Sequence, residues 1–252
     1  MRAAAMAALA LAAAGCTAAP IDLATLGNGA LSNGLIAHWA LDEASGAAIT
    51  DGSGNGHNGV LEGPSWSWMA GRFGSDVHFS GADTVAVSGF PHPTPSYTVS
   101  AWVLIASAEL GAPVGNLLST EALGGGWALY ATLAPAPPGY LSYVFRYAAN
   151  VPQQYWTVTC NCLVTDVWTH VAAVLDADAG TLALYVGAAN PITIPVTGSM
   201  LPGSSTLNIG RSAQLQPPFP VTGALDDIAI YNRALAAEEI AALGAAPAPD
   251  PR

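Results

Sequence analysis

The sequence contains no lysine and few charged residues of any kind. Its six basic residues are all arginine, and they face 17 acidic residues, so the formal net charge is −11. Nucleic acids and anionic lipid surfaces attract basic proteins, so this shortage of positive charge argues against both as partners. The same balance is compatible with a bound cation or with a neutral ligand.

Cysteine is also scarce, with three residues in the whole chain. Cys16 belongs to the N-terminal segment, while Cys160 and Cys162 form a Cys-x-Cys pair. A zinc site would need further Cys or His residues at ligand spacing, and none lies nearby. Two interpretations of the pair stay open: a disulfide, which is geometrically tight but permitted in an exported protein, or two small buried thiols.

Long hydrophobic runs are absent as well. Beyond the N-terminus no uninterrupted apolar stretch reaches the roughly 18 residues of a membrane-spanning helix. The N-terminus has a short positive start, an apolar run over residues 3–14, and then Gly15 and Cys16. This pattern is typical of a signal peptide, here residues 1–15, and the junction resembles the lipobox of bacterial lipoproteins. We expect Cys16 to be lipidated in a cell-envelope protein; ordinary cleavage would give a secreted one.

Most of the chain consists of short segments rich in β-branched and aromatic residues, separated by Gly, Pro, Asn and Asp. Such segments are typical of β-strands. The predicted strands are 35–41, 77–79, 84–87, 97–105, 127–132, 140–147, 155–160, 168–175, 181–186, 207–209 and 224–231. One helix is predicted over residues 236–243, with acidic residues in its first turn.

Eleven strands and one terminal helix, without alternation of strand and helix, predict an all-β fold. We expect a two-sheet antiparallel jelly-roll β-sandwich over residues 33–244. Residues 16–32 are predicted to be a linker after the lipidated cysteine, and residues 245–252 a flexible tail. In the last strand, strict alternation places Ile228 and Ile230 on the same face as Asp226.

An ordered set of motifs resembles the laminin G-like, concanavalin A-like domains of bacterial surface proteins. The motifs occupy residues 34–43, 51–59, 70–74, 97–103, 168–171 and 223–235. The resemblance implies a jelly roll whose first and last strands are adjacent, and often a bound calcium ion. It does not imply one ligand, because such domains bind glycans or proteins or serve as accessory modules.

The loop after the first predicted strand is rich in oxygen ligands. Its residues fit the spacing of an EF-hand calcium loop: Asp51, Ser53, Asn55, Gly56 and Glu62. A strand before the loop and Gly-Pro after it exclude the flanking helices of a true EF-hand. Calcium could still bind in a β context; the alternative is a turn whose side chains bond only to their own backbone.

A second acidic feature, Asp226 and Asp227, lies in the last predicted strand. A carboxylate among apolar neighbours is costly to bury unless it is paired or bound to a metal. We expect the 51–55 loop and one of these aspartates to share one structural calcium ion, with Glu43 as a further oxygen donor. The alternative for the acidic pair is a salt bridge to Arg211 or Arg233.

Catalysis receives little support, and we predict that the chain is not an enzyme. It lacks the Glu-x-Asp-x-x-Glu strand of related jelly-roll glucanases and the Gly-x-Ser-x-Gly nucleophile turn. Aromatic rings stack on sugar faces, so aromatic residues at loops or strand edges are candidate glycan contacts, with core packing as the alternative. These residues are Trp66, Trp68, Tyr155 and Trp156.

The sequence therefore predicts a binding module for a glycan or an extracellular protein, stabilised by calcium. It would contact the membrane only through its N-terminal lipid. Two other functions stay open: a glycoside hydrolase or polysaccharide lyase on the same fold, and a purely structural envelope protein.

Overall fold

The computed structural model describes residues 31–92, 95–107, 114–122, 124–134, 140–149, 154–212 and 221–245. Cys16 and the tail from residue 246 onward lie outside these residues. The described residues form sixteen strands and one short helix. The all-β sandwich predicted from the sequence is confirmed.

The elements follow one another along the chain with bounds close to those predicted. They are β1 (Leu35–Trp39), β2 (Ala48–Ile49), β3 (Gly59–Glu62), β4 (Ser67–Ala70), β5 (Ser75–Ser80), β6 (Thr84–Ser88), β7 (Tyr97–Ile105), β8 (Val114–Ser119), β9 (Trp127–Ala134), β10 (Tyr140–Ala149), β11 (Gln154–Cys160), β12 (Thr169–Asp176), β13 (Thr181–Val186), β14 (Ile192–Pro195), β15 (Thr206–Ile209), β16 (Thr222–Tyr231) and α1 (Ala237–Leu243).

The strands form two antiparallel sheets of eight strands each. The first sheet has the order β14-β13-β12-β7-β16-β5-β4, with β1 also paired to β16. The second has the order β11-β10-β9-β8-β15-β6-β3-β2. The adjacency of the first and last strands, which the family resemblance implied, is therefore present as the β1–β16 pair.

Strand β16 occupies the middle of the first sheet and has three partners. One edge pairs with β7. The other edge pairs first with β5, up to Leu225, and then with β1, from Ile228 onward. At the change of partner the register with β7 shifts between Asp226 and Ala229, and Asp227 has a φ of 44°. This β-bulge is the backbone feature that positions the acidic residues described below.

The hydrophobic core lies between the sheets and follows the alternation of the strands. In β7, alternate residues point into it: Tyr97, Val99, Ala101 and Val103. At its centre the Tyr97 ring of the first sheet lies 5.6 Å from Trp127 of the second, measured between centroids. Trp127 in turn stacks on Phe145 at 5.8 Å.

The outer face of the first sheet is covered by α1. Ile240 and Leu243 of the helix belong to a second buried cluster with Trp102 and Tyr231, so β7 and β16 are buried on both faces. Leu31, which the sequence assigned to the linker, is 1% exposed and packs in this cluster, so the packed part of the chain already includes it. No helix among the described residues is long and apolar enough to cross a membrane.

Candidate functional site

Three aspartates meet where β16 changes partner, and we call Asp42, Asp226 and Asp227 the carboxylate cluster. Asp42 follows β1, and one of its oxygens accepts the Ser75 N–H at 2.7 Å. One Asp226 oxygen accepts the Phe73 N–H at 2.9 Å. The ends of β1 and β5 therefore bring their loops against the bulge of β16.

The carboxylate cluster is poor in hydrogen-bond donors for its burial. Asp226 is fully buried, and its Oδ1 has no hydrogen-bond partner among the described residues, nor does Asp42 Oδ2. The pKa of Asp226 is raised to about 8, chiefly by burial. The hydrogen bond from the Phe73 N–H lowers this pKa, and the charges of Asp227 and Asp42 raise it. Burial likewise raises the pKa of Asp42. Such carboxylates gain from a cation, and hard oxygen ligands suit calcium.

The sequence placed Asp226 on the wrong face of its strand. Leu225, Ile228 and Ile230 all point into the core, whereas Asp226 is paired with Trp102 and faces the outer side of the sheet. The bulge between Asp226 and Ala229 adds an extra residue and resets the alternation. A carboxylate therefore does not enter the sandwich interior.

The 51–55 loop is held by hydrogen bonds of its own. The Asp51 carboxylate accepts the backbone N–H groups of His38, Ser53 and His57 at 2.9–3.0 Å. Burial would raise the pKa of Asp51, but these amides hold it below its usual value. Asn55 Nδ2 donates to the carbonyls of Leu35 and Ile36. The side chains of Asp51 and Asn55 thus bond to the backbone of β1, and not only to the backbone of their own turn.

The loop and the carboxylate cluster are nevertheless linked through one histidine. The His38 N–H donates to Asp51, and His38 Nε2 lies 3.0 Å from Asp227 Oδ1. Glu43 lies beside Asp42, where it accepts the Thr50 N–H. Of the two arginines considered as partners for the acidic pair, Arg211 donates to the Ala82 carbonyl and Arg233 pairs with Glu239.

The four aromatic candidates differ in how much of each ring is available. Trp66, Trp68 and Trp156 are partly buried and pack against the core. The Trp68 indole N–H donates to the Gly46 carbonyl, and that of Trp156 donates to the Thr197 carbonyl. Tyr155, by contrast, is 47% exposed. It is therefore the candidate with the most ring surface available to a ligand.

Tyr155 is part of a larger group on the outer face of the second sheet, which we call the tyrosine–arginine stack: Tyr130, Arg146 and Tyr155. The guanidinium carbon of Arg146 lies 5.5 Å from the centroid of each tyrosine ring. Strand pairing explains the arrangement, since Tyr130 is opposite Val144, and Tyr155 is opposite Ala148. Arg146 lies between these positions and so is diagonal to both rings.

A buried glutamate fixes the arginine of the stack. Glu121 is 4% exposed, and its two oxygens accept Arg146 Nε at 2.5 Å and Nη2 at 2.9 Å. The hydrogen bond to Glu121 raises the pKa of Arg146 above its ordinary value. A two-point contact of this kind orients the planar guanidinium group as well as holding it. Arg146 is thus held by Glu121 and lies between the two tyrosines of the neighbouring strands.

The sequence analysis found Tyr155 but not Tyr130, Arg146 or Glu121. One signal was available: Tyr143, Phe145 and Tyr147 alternate into the core, so Arg146 must point outward. Nothing in the spacing, however, connects Arg146 with Glu121 on another segment of the chain.

The two remaining cysteines form a disulfide at the end of β11. The Cα atoms of Cys160 and Cys162 are 5.2 Å apart. The structure thus favours the disulfide over two free thiols. The bond closes the turn that leaves the last strand of the second sheet.

The two-sheet jelly-roll sandwich is the fold of the concanavalin A-like domains. A model of the Laminin_G_3 family, described as concanavalin A-like lectin/glucanases superfamily, matches residues 79–241. The match extends over more than half of the chain, and the chain belongs to this family. No curated protein matches the sequence.

Solved structures with the same fold include domain 4 of a GH43 extracellular arabinanase from Geobacillus stearothermophilus, in complex with arabinotriose. It is 19% identical over 84% of this chain and 98% of that chain, with a TM-score of 0.63. Another is the binding domain of botulinum neurotoxin DC in complex with rat synaptotagmin II. It is 16% identical over 83% of this chain and 50% of that chain, with a TM-score of 0.62. A third structure belongs to botulinum neurotoxin type C, a toxin whose cell entry depends on interaction with two ganglioside molecules. It is 14% identical over 83% of this chain and 50% of that chain, with a TM-score of 0.61.

This chain spans about half the length of the neurotoxin binding domains it matches. At these identities the similarity shows the fold alone. The residues of a site in this chain therefore have to be argued from its own surface.

Proposed function

We propose that this chain is an extracellular carbohydrate-binding module whose sugar site is the tyrosine–arginine stack. The observation that carries the proposal is the exposed Tyr155 ring, which lies beside Arg146 on the outer face of the second sheet. An aromatic ring offers an apolar surface to the C–H face of a sugar, while nearby polar groups fix its orientation. The similar arabinanase domain in complex with arabinotriose supports a carbohydrate as the ligand. The similar binding domain in complex with synaptotagmin II makes a protein the alternative partner.

Replacing Tyr155 by Ala should weaken glycan binding about tenfold, which corresponds to about 1.4 kcal/mol. The loss follows from removing the stacking surface while leaving the sheet intact. A glycan array would identify a binding oligosaccharide, and calorimetry would measure its affinity for each variant.

The matched control is Trp68→Ala, because Trp68 lies on β4 in the other sheet. That change should leave glycan affinity within about twofold of the original. Equal losses in the two variants, or an unchanged affinity after Tyr155→Ala, would place the sugar elsewhere.

We also propose that the module does not cleave its ligand. Glycoside hydrolysis commonly needs two carboxyl groups about 5 to 10 Å apart across the bond that breaks. Strands β8, β9, β10 and β11 contain no Asp or Glu, and Glu121 is engaged with Arg146. Incubation with a bound polysaccharide should release neither reducing ends nor unsaturated products; either product would favour a hydrolase or a lyase.

We further propose that the carboxylate cluster binds a structural calcium ion. No set of three or more His, Cys, Asp or Glu side chains within the described part of the chain is arranged to hold a metal. Asp42 and Asp226 would therefore supply the side-chain oxygens, and main-chain carbonyls and water would complete the shell. Asp51 and Asn55 would support the site through the loop rather than bind the ion.

The N-terminus carries a proposal of its own, that Cys16 is lipidated and anchors the module to the cell envelope. Two or three acyl chains give stable anchoring, whereas one chain is marginal. Mass spectrometry of the mature protein should find an acylated Cys16 at its N-terminus. A mature chain that starts after Cys16 would make the protein a secreted one.

A further inference from the structure

Arg146 in the tyrosine–arginine stack has its charge balanced before any ligand arrives. A guanidinium group has five N–H donors, and two of them are taken by the buried carboxylate of Glu121. A tyrosine ring lies near the group on either side, Tyr130 from β9 and Tyr155 from β11. The remaining N–H groups of Arg146 can donate to a ligand, and the positive charge of the side chain is already balanced by Glu121.

The position of Glu121 also decides which ligands are rejected. A ligand carboxylate that paired with Arg146 would compete with Glu121 for the same N–H groups. Glu121 would then be a buried charge with its partner drawn away, and such a charge is strongly destabilising. A sugar hydroxyl, in contrast, can accept a free N–H of Arg146 without disturbing the ion pair.

We infer that the site selects neutral sugars, with a sugar hydroxyl accepting from Arg146, and that Glu121 excludes acidic sugars. This inference rests on the proposed function and specifies the ligand class of that site. Glu121 is here a specificity-determining residue that acts through Arg146.

The test compares matched oligosaccharides, neutral hexose oligomers and their uronate counterparts, by calorimetry on the purified protein at low and high salt. The neutral oligomers should bind with an affinity that salt changes by less than about twofold, because no net charge is involved. The uronates should bind at least about tenfold more weakly.

The decisive variant is Glu121→Gln, which leaves Arg146 charged and uncompensated. Its affinity for uronates should rise about tenfold and become sensitive to salt, while neutral binding changes less. The double variant Glu121→Gln with Arg146→Gln should lose the gain for uronates. Thermal melting checks that each variant is folded.

The possible failures are distinguishable. A wild-type protein that prefers uronates, or a folded Glu121→Gln variant with an unchanged ratio of uronate to neutral affinity, overturns the inference but leaves a carbohydrate-binding module. If neither class of sugar binds, the proposed function itself is wrong. The salt dependence of the wild-type protein gives an answer even if Glu121→Gln fails to fold.

Discussion

Withdrawal of calcium should lower the melting temperature of the protein by about 5 to 10 °C at pH 8. A ligand that binds only the folded state at about 100 times its dissociation constant adds roughly 2.7 kcal/mol. For a domain of this size, each kcal/mol shifts the melting temperature by about 2–4 °C. The measurement is a melting curve with calcium and after verified removal of metal by a chelator.

The effect of calcium should also depend on pH. Without a cation, Asp226 keeps its proton in the folded state up to a pKa of about 8, whereas in the unfolded chain it loses it near 3.8. Between these values the folded state binds more protons, so the contribution of Asp226 to stability falls as the pH rises. A cation replaces the lost proton, so calcium should stabilise the protein more at pH 8 than at about pH 5.

Asp226→Asn should remove both the calcium response and this part of the pH dependence. The control is Asp178→Asn, at an exposed position in the turn between β12 and β13, which should leave both unchanged.

Asp51→Ala should lower the melting temperature through its lost hydrogen bonds yet keep the calcium response. If Asp51→Ala abolishes the response, the ion is bound by the loop; if chelation leaves the wild-type curve unmoved, the cluster binds no cation.

Trp127→Ala should reduce the free energy of unfolding by about 3–5 kcal/mol. The indole is fully buried and lies between Tyr97 of one sheet and Phe145 of its own, so its loss leaves a cavity where the two sheets meet. Urea denaturation measures the change, with a lower midpoint and an unchanged slope expected.

Tyr155→Ala is the comparison for Trp127→Ala, because Tyr155 is an exposed ring. Its cost should stay within about 1 kcal/mol. This result would also show that the weaker glycan binding predicted for Tyr155→Ala does not come from unfolding. Equal destabilisation by the two variants would mean that Trp127 is not at the centre of the core.

The sequence predicted the fold class and eleven of the strands, because their apolar positions alternate over enough residues to be read. Strands β2, β3, β4, β8 and β14 were not predicted. Strand β2 has two residues, β14 ends in a proline, and β8 contains Gly115 and Asn116. In such segments the hydrogen bonds of neighbouring strands determine the strand, and the local sequence carries little signal.

The candidate sites were less predictable, for two physical reasons. Period-two alternation assumes a regular strand, and the bulge with Asp227 at positive φ breaks that assumption where the acidic residues lie. The tyrosine–arginine stack is assembled from separate strands, and Arg146 meets Glu121 across 25 positions. These residues come together only through the register in which the strands pair, and that register cannot be derived from the sequence of one strand.

The central place of β16 has a consequence for how the chain is made. While the protein is being synthesised, β1, β5 and β7 have no common partner until residues 222–231 have left the ribosome. The pairing of His38 with Asp227 spans 189 positions, and contacts of that range form slowly. The growing chain is therefore a set of hairpins with open edges, which invite pairing between molecules. The first sheet can therefore close only when β16 has joined it, and β16 is the last strand that the described residues form.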